Sequence, residues 1–597
     1  MELKDLREIL DLGTKGLSAV TTEMRIELKD VPKEVDLFII YNLCMTSKDA
    51  AYDEDVLLRR IHDTFELKEK YMAEIKAARV LPEDARFAPE ADADEYVYLE
   101  ELAALRERDS ANADGQSLRR LIVDGLKGVA QYAWASYEIG YEDEGISPFL
   151  ERVLQRTLKF NLSIGLLFNL AMEVGGFAYR SMGLFDKSAI EEFGAPALTN
   201  IELGVRKNPG ILVSGASLFE LVNLLKQTEG QGVDVYTHDE LISAHAYPEL
   251  KKFDHFAGNY GGSAKDQVSD FENFGGPVVV TGTGMLPVGD SYKDRIYTTS
   301  FVSYPGVTAI REDEKGIPDF SAVIEQAKAC SAPKELQKGE LIAGFGHDQM
   351  FKMMDIIEGA IKDKGIDRII TLVGTDGPEE ARSYFTDLAK ELPKNSAVLA
   401  TGTAAYRVMN LGLGTVHGLP RVLVAGQLVD TYSVAMTALK LQADLEKYDL
   451  NGIPMTYLIS LYDEKSMSAL LAMTYVGAKN LIVGPEMPSY MTESIVGVFK
   501  KNFGIRLIGD PSADVEEIFA HKKSAEGQPI DANMLIIEII ETYPDASRVL
   551  MDCGMSCVTC GAALYESLAE ACQVHGLDPD DVQDVLNHEL GLVDDDE

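Results

Sequence analysis

Four of the chain's six cysteines, Cys553, Cys557, Cys560 and Cys572, fall in one short run near its end, and only Cys44 and Cys330 precede them. Thiolates are the main soft-metal ligands and the main redox groups of a protein that is not disulfide-bonded. In Cys553-Gly-Met-Ser-Cys557-Val-Thr-Cys560 three thiols are close enough to act together. Cys572 is twelve residues beyond Cys560, mostly across a helix-forming stretch from Ala562. A straight helix of that length spans about 18 Å, so Cys572 is not expected to share a metal with Cys560. Three readings stay open. Cys553, Cys557 and Cys560 could hold zinc or an iron–sulfur cluster, with a fourth ligand from His575, a second chain or an exogenous group. The Cys-x-x-Cys pair could cycle between dithiol and disulfide, or the thiols could simply pack a core. The local spacing is the main argument for the first.

Whatever positions those thiols is a small part of a long chain. At 597 residues about four domains are expected, each with its own core. With 46% hydrophobic and 26% charged residues, the composition is that of a globular protein. The net charge of −41 argues against a nucleic-acid partner and leaves room for a basic protein partner. Met1-Glu-Leu-Lys-Asp5 has neither the basic nor the apolar region of a signal peptide. The longest apolar stretch, Phe160 to Val174, is interrupted by Asn161, Asn169 and Glu173 and is too short to span a bilayer. A cytoplasmic location and no membrane association are therefore expected.

The chain reads as multidomain, α plus α/β. Residues 1–205 carry apolar residues at helical spacing, as in Val56–Ala78 and Tyr98–Glu107, and predict a helical bundle. Residues 206–337 predict a first Rossmann-like domain, with strands at Ile211–Gly215, Val233–Thr237 and Pro277–Thr281 and a helix over Leu218–Gln227. Residues 338–512 predict a second, with strands at Leu341–Phe345, Ile369–Val373, Ala397–Ala400, Val422–Ala425, Tyr457–Ser460 and Leu481–Val483. Helical segments separate most of them, which signals a parallel sheet whose ligands bind beyond the carboxyl ends of the strands. A linker is expected over 513–529, a small helical cysteine domain over 530–592 and an acidic tail over 593–597.

Several phrases are more specific than fold reasoning needs. They include Tyr236-Thr-His-Asp-Glu240, Ala244-His-Ala-Tyr-Pro-Glu-Leu-Lys-Lys252, Gly258-Asn-Tyr-Gly-Gly262, Tyr292-Lys-Asp-Arg295, Leu419-Pro-Arg-Val422 and Val424-Ala-Gly-Gln427. With Leu481–Pro485 they resemble the hybrid cluster protein (prismane) family, kin to anaerobic carbon monoxide dehydrogenases, over residues 5 to 512. The resemblance implies a helical domain followed by two Rossmann-like domains, with a hybrid iron–sulfur–oxygen cluster at their junction that reduces hydroxylamine or nitric oxide.

Carried onto this chain, the family's ligand motifs meet other residues. The histidine of Ser-Gly-His is Ala216, and the cysteine positions are Gly284, Thr375, Thr403 and Leu428. The two glutamates correspond to Glu240 and Asp463, with Lys465 matching the family's lysine. The cysteine motif that holds the family's cubane cluster would lie before residue 1. Hydroxyl, glycine and leucine side chains do not replace thiolates on iron. No hybrid cluster is expected, and Glu240, Thr375, Thr403, Asp463 and Lys465 become a candidate site for a small polar ligand, or an ion-paired scaffold in a filled cavity. His238 and His245 are expected to be structural.

The tail resembles a second family, the small helical domain DUF1858, through Ile540-Glu-Thr-Tyr-Pro544, Gly554-Met-Ser-Cys557-Val-Thr-Cys560, Glu570-Ala-Cys-Gln-Val-His-Gly576 and Leu586-Asn587. The expectation is a non-catalytic binding, scaffold or redox-relay protein of an anaerobe, with a C-terminal thiol or metal module, a protein or redox partner and room for homo-oligomers. Alternatives are an oxidoreductase of the hydroxylamine or nitric oxide reductase class with an altered centre, and a thiol-based handler of clusters or nitrosothiols. Whether the chain is an enzyme stays open.

Overall fold

The computed structural model describes residues 1–48, 50–76, 81–89, 95–282, 287–447, 449–520, 529–543, 545–555 and 566–593. These fall into two compact units, one of Met1–Leu445 with Ile453–Val515 and one of Glu446–Gly452 with Glu516–Glu597.

The first unit opens with long helices, Leu3–Glu27, Lys33–Met45, Glu54–Met72, Glu95–Ser110, Ala113–Glu138, Ile146–Thr157 and Ile164–Phe193. In Leu3–Glu27 the residues Leu6, Ile9, Leu10, Leu17 and Met24 form one buried stripe. Asp53 starts the third helix by accepting the Asp55 and Val56 amides, which have no partner inside the helix.

A first sheet has six parallel strands in the spatial order Phe256–Asn259, Asp234–His238, Gly210–Gly215, Val278–Thr281, Ile296–Thr298 and Thr308–Ala309. A second has eight, in the order Thr199–Glu202, Glu340–Ala343, Val422–Gly426, Ser396–Thr401, Arg368–Gly374, Met455–Ser460, Ile482–Gly484 and Arg506–Leu507. Gly210–Gly215 and Ser396–Thr401 are buried at every position, as parallel strands covered on both faces must be.

Two boundaries differ from the sequence reading. Thr199–Glu202 lies inside the expected helical region, yet pairs antiparallel with Glu340–Ala343 at the edge of the second sheet. The expected linker at 513–529 begins as a helix, Pro511–Phe519. Its Asp514 carboxylate accepts from Tyr384 Oη at 2.5 Å, Arg506 Nη1 at 2.7 Å and the Gly509 amide at 2.8 Å, which fixes the helix start to the first unit.

Close approach of helices positions the second sheet's contribution to the site. The helix Glu464–Tyr475 lies against Ala113–Glu138 and Ile164–Phe193. A Cβ on Gly175 would stand 2.3 Å from the Leu471 carbonyl oxygen, and one on Gly128 2.3 Å from Ser468 Oγ. These glycines let the backbones meet at a distance no larger residue allows.

The second unit contains the helices Ile536–Thr542, Ala546–Asp552, Leu568–His575 and Pro579–Glu589 around a core that includes Ile530, Ile539, Leu550, Leu568, Cys572 and Leu586. Asn587 pins its first strand-like residue, accepting the Ile530 amide at 2.5 Å and donating to the Ile530 carbonyl at 3.0 Å. Among the described residues no helix is long and apolar enough to cross a membrane.

Candidate functional site

The residues singled out from sequence follow the carboxyl ends of parallel strands. Ala216 follows Gly210–Gly215 and Glu240 follows Asp234–His238 in the first sheet. Thr375, Thr403, Leu428 and Asp463 follow Arg368–Gly374, Ser396–Thr401, Val422–Gly426 and Met455–Ser460 in the second. Strand ends of a parallel sheet are where loops can converge on a ligand without breaking the sheet's hydrogen bonds.

The structure brings Glu240, Thr375, Thr403, Asp463 and Lys465 around one cavity of about 10 Å³, with Asp239 as a further wall. That volume holds about one water molecule. The polar groups are bonded mainly to one another. Lys465 Nζ donates to Glu240 Oε1, and the Leu428 amide donates to Glu240 Oε2 at 2.8 Å, so both glutamate oxygens are engaged. Thr375 Oγ1 donates to Asp463 Oδ1 at 3.1 Å. The same Asp463 oxygen accepts the Ser466 amide at 2.8 Å and so caps the helix Glu464–Tyr475. Thr403 Oγ1 accepts the Asp376 amide at 2.8 Å.

Burial works against the charge of Lys465, yet Glu240 and Asp463 hold its pKa above the ordinary lysine value. Burial pushes Asp239 up to about 7, with the Glu240 charge adding to the rise. Asp239 also has a φ of 65°, unusual for a residue with a side chain, where the chain turns from the strand Asp234–His238 into the loop bearing Glu240. The cavity therefore offers the ammonium groups of Lys465 and Lys48, two threonine hydroxyls, the hydrogen-bonded carboxylates of Glu240, Asp376 and Asp463, and the Asp239 carboxyl, which titrates near neutrality.

Ala216 does not reach this cavity. It lines a second one of about 50 Å³ on the other side of the Glu240–Lys465 pair, together with Trp134, Glu138 and Phe301. Leu428 is fully buried and lines neither. Gly284 lies outside the described residues. His238 bonds Ser214 Oγ at 2.8 Å and Asp270 at 3.3 Å. His245 stacks on Phe256 at 3.8 Å and bonds Thr237 Oγ1 at 3.0 Å, while burial lowers its pKa to about 3. Both histidines are satisfied by neighbouring groups, as expected.

Sequence reasoning missed Lys48 and gave no role to Asp376 and Glu464, although both lie just beyond strand ends. Lys48 Nζ sits 3.4 Å from the centroid of the Tyr462 ring and donates to the Tyr462 carbonyl at 3.1 Å. Lys48 and Tyr462 line both the small cavity and an adjoining cleft of about 290 Å³. The Lys48 amide binds the Glu464 carboxylate at 2.9 Å, tying the loop after Lys33–Met45 to the site helix. Asp376 is held by Arg407 Nε at 2.7 Å and Ser263 Oγ at 3.0 Å. The Lys48 to Glu464 contact spans over four hundred residues, and no local pattern announces it.

Of the cysteines proposed to share one centre, Cys553 is described, whereas Cys557 and Cys560 lie outside the described residues. Cys553 packs against the core that holds Cys572, and burial raises both thiols, with Cys553 adding to the rise at Cys572. The sequence reading separated Cys572 from Cys560 and did not anticipate that Cys553 and Cys572 are neighbours. Among the described residues, no group of three or more His, Cys, Asp or Glu side chains is arranged to hold a metal ion.

Residues 1–516 match the Prismane/CO dehydrogenase family, and residues 530–582 match a domain of unknown function, DUF1858. The chain is 37% identical over 538 residues to the hydroxylamine reductase of Clostridium tetani, covering 85% of this chain and 94% of that one. It is 39% identical over 518 residues to the hydroxylamine reductase of Desulfovibrio desulfuricans, covering 87% and 94%. Among solved structures, carbon monoxide dehydrogenase IV from Carboxydothermus hydrogenoformans aligns with a TM-score of 0.53 at 14% identity, covering 87% of each chain. That likeness concerns the fold.

Proposed function

The chain belongs to the Prismane/CO dehydrogenase family, and from its pocket chemistry we propose that it is a hydroxylamine reductase homologue whose central site works without the family's hybrid cluster. The observation that carries the reading is the bonding around Glu240. Both carboxylate oxygens are taken, by Lys465 and the Leu428 amide, and an ammonium stands within the donor set. Thr375 and Thr403 offer hydroxyls where iron needs sulfur, Leu428 and Ala216 offer none, and among the described residues no thiol or imidazole lines the cavity. These residues do not fit an iron–sulfur group. They suit a small polar molecule, held by Lys465 and the threonines and able to exchange a proton with Asp239, which titrates near neutrality.

On this reading the body is a binding, scaffold or redox-relay component in the cytoplasm, and thiol or metal chemistry belongs to Cys553, Cys557 and Cys560 of the appended module. A protein or redox partner supplies what the body lacks. The test is anaerobic purification of the full chain and of a variant with Cys553, Cys557 and Cys560 all replaced by Ser, followed by iron and sulfide analysis. The reading expects the variant to hold no iron. About four irons per variant chain would overturn it.

One observation favours a second reading, that the chain still reduces hydroxylamine or nitric oxide at an altered centre. The identity to named hydroxylamine reductases runs through 85–87% of the chain. Hydroxylamine-dependent oxidation of a reduced viologen by the purified protein, abolished by Lys465→Met but not by the triple Cys→Ser change, would establish it. No turnover above the dye alone would remove it.

A further inference from the structure

The helical region contains a cavity that the family site does not use. It has a volume of about 230 Å³ and lies between the helices Leu3–Glu27, Glu95–Ser110 and Ala113–Glu138, with Tyr490 on its wall. Close-packed interiors do not leave such space by default. A cavity of about 150 Å³ accommodates a benzene, so this one has room for on the order of ten non-hydrogen atoms.

Its charges are unevenly paired. The acids on the wall have cations or donors of their own. Asp11 binds Lys127 at 2.9 Å, Asp84 binds Arg108 at 2.5 Å, Glu8 binds Arg106 at 2.9 Å, Asp109 binds Gln116 at 3.1 Å and Asp124 binds Tyr490 at 2.5 Å. Three cations on the same wall, Lys15, Arg119 and Arg120, form no salt bridge among the described residues. Arg119 is the sharpest case. Its side chain is only 6% exposed and lies against Phe160, and Nη2 donates to the Lys159 carbonyl at 3.1 Å. Its Nε and Nη1 are buried with no hydrogen-bond partner. Burial lowers the pKa of Lys15 and of Arg119, and outweighs the opposing pull of Asp11 and Asp109 on Lys15 and of Asp109 on Arg119. Two buried acceptors, Asp11 Oδ1 and Asp84 Oδ2, are also unpartnered.

A buried guanidinium with two unpartnered nitrogens is expensive, and Lys15 and Arg120 stand on the same wall with no salt bridge among the described residues. A ligand that brings an oxyanion to Lys15, Arg119 and Arg120, and a hydroxyl or amine donor to Asp11 or Asp84, would satisfy every one of these groups. We propose that this cavity is a binding site for a small organic oxyanion, a carboxylate or phosphate ester bearing hydroxyl or amine donors, independent of the site at Glu240 and Lys465. Arginine and lysine supply the charged, forked contacts such groups need. The surrounding excess of negative charge would repel anions that do not find this pocket.

The test is isothermal titration of the full chain at fixed ionic strength with inorganic phosphate, glycerol 3-phosphate and malate, with glycerol as the headless control. Saturable binding of glycerol 3-phosphate or malate is expected, and which of the two binds tells a phosphate head from a carboxylate head. Lys15→Gln and Arg120→Gln, at positions less buried than Arg119, should each weaken that binding at least tenfold. Arg119→Gln should abolish it. Lys465→Met should leave it within twofold, which separates this site from the family pocket. Absence of saturable binding by all three anions would overturn the proposal. So would equal binding of glycerol, or retention of affinity within twofold by Lys15→Gln and Arg120→Gln.

Discussion

Replacing Lys465 by methionine tests the central claim about the pocket. Methionine keeps most of the side chain's length and removes the ammonium. Glu240 would keep the Leu428 amide at 2.8 Å but lose the cation bonded to it, inside a site where both partners are nearly inaccessible to solvent. Removing one member of a buried ion pair costs about 3–5 kcal/mol, mostly because the other charge is stranded. Urea unfolding at pH 8 should therefore show a loss of about 3–5 kcal/mol. Glu240→Gln keeps an oxygen for the Leu428 amide, so the double variant Lys465→Met, Glu240→Gln should recover at least about 2 kcal/mol of the summed single losses. Iron content should be the same in all four proteins. A Lys465→Met loss below about 1 kcal/mol at pH 8, or additive single and double losses, would refute the buried-pair account.

Other expectations follow from separate parts of the fold. Burial pushes the Glu220 carboxyl up to about 7, from an ordinary 4.5. Its contribution is fully present below pH 4.5 and is lost by about pH 7, so Glu220→Gln should gain up to about 3 kcal/mol relative to the parent between pH 5 and pH 8, read by urea unfolding at both. Gly175→Ala and Gly128→Ala should each cost about 3 kcal/mol, because the new methyl meets the Leu471 carbonyl oxygen at 2.3 Å in one case and, in the other, Ser468 Oγ and Cβ at 2.3 and 2.5 Å with the Glu464 carbonyl oxygen at 2.9 Å. Unchanged thermal melts would contradict the packing argument. Asn587→Ala strips both hydrogen bonds from the buried Ile530 backbone and should destabilise the C-terminal unit by about 2 kcal/mol, seen as faster proteolysis there with the first unit unchanged.

Legibility in the sequence followed the range of the forces involved. Strands such as Ile369–Val373 and Ala397–Ala400 were readable because a strand covered on both faces must be almost entirely apolar, and both lie inside observed strands. Thr199–Glu202 was not, because an edge strand has one buried position, Ile201, and three polar neighbours that look like loop. The helix over Pro511–Phe519 was hidden because what stabilises it includes a carboxylate, Asp514, held by residues as distant as Tyr384.

The site divides along the same line. Motif positions carried Glu240, Thr375, Thr403, Asp463 and Lys465 to one cavity, because they follow the carboxyl ends of four parallel strands from the two sheets. Motifs could not say that Glu240 would spend both oxygens internally, since that depends on a lysine 225 residues away and on the amide of Leu428. Nor could they suggest Arg119, whose significance lies in two buried guanidinium nitrogens left without a hydrogen-bond partner, with Lys15 and Arg120 on the same wall. A charge in a sequence is unremarkable. It becomes informative when folding buries it and the surrounding residues leave it uncompensated, because the free energy of that arrangement then points to what must complete it. By that criterion the pair Glu240 and Lys465 completes itself, and the Arg119 guanidinium of the helical region does not.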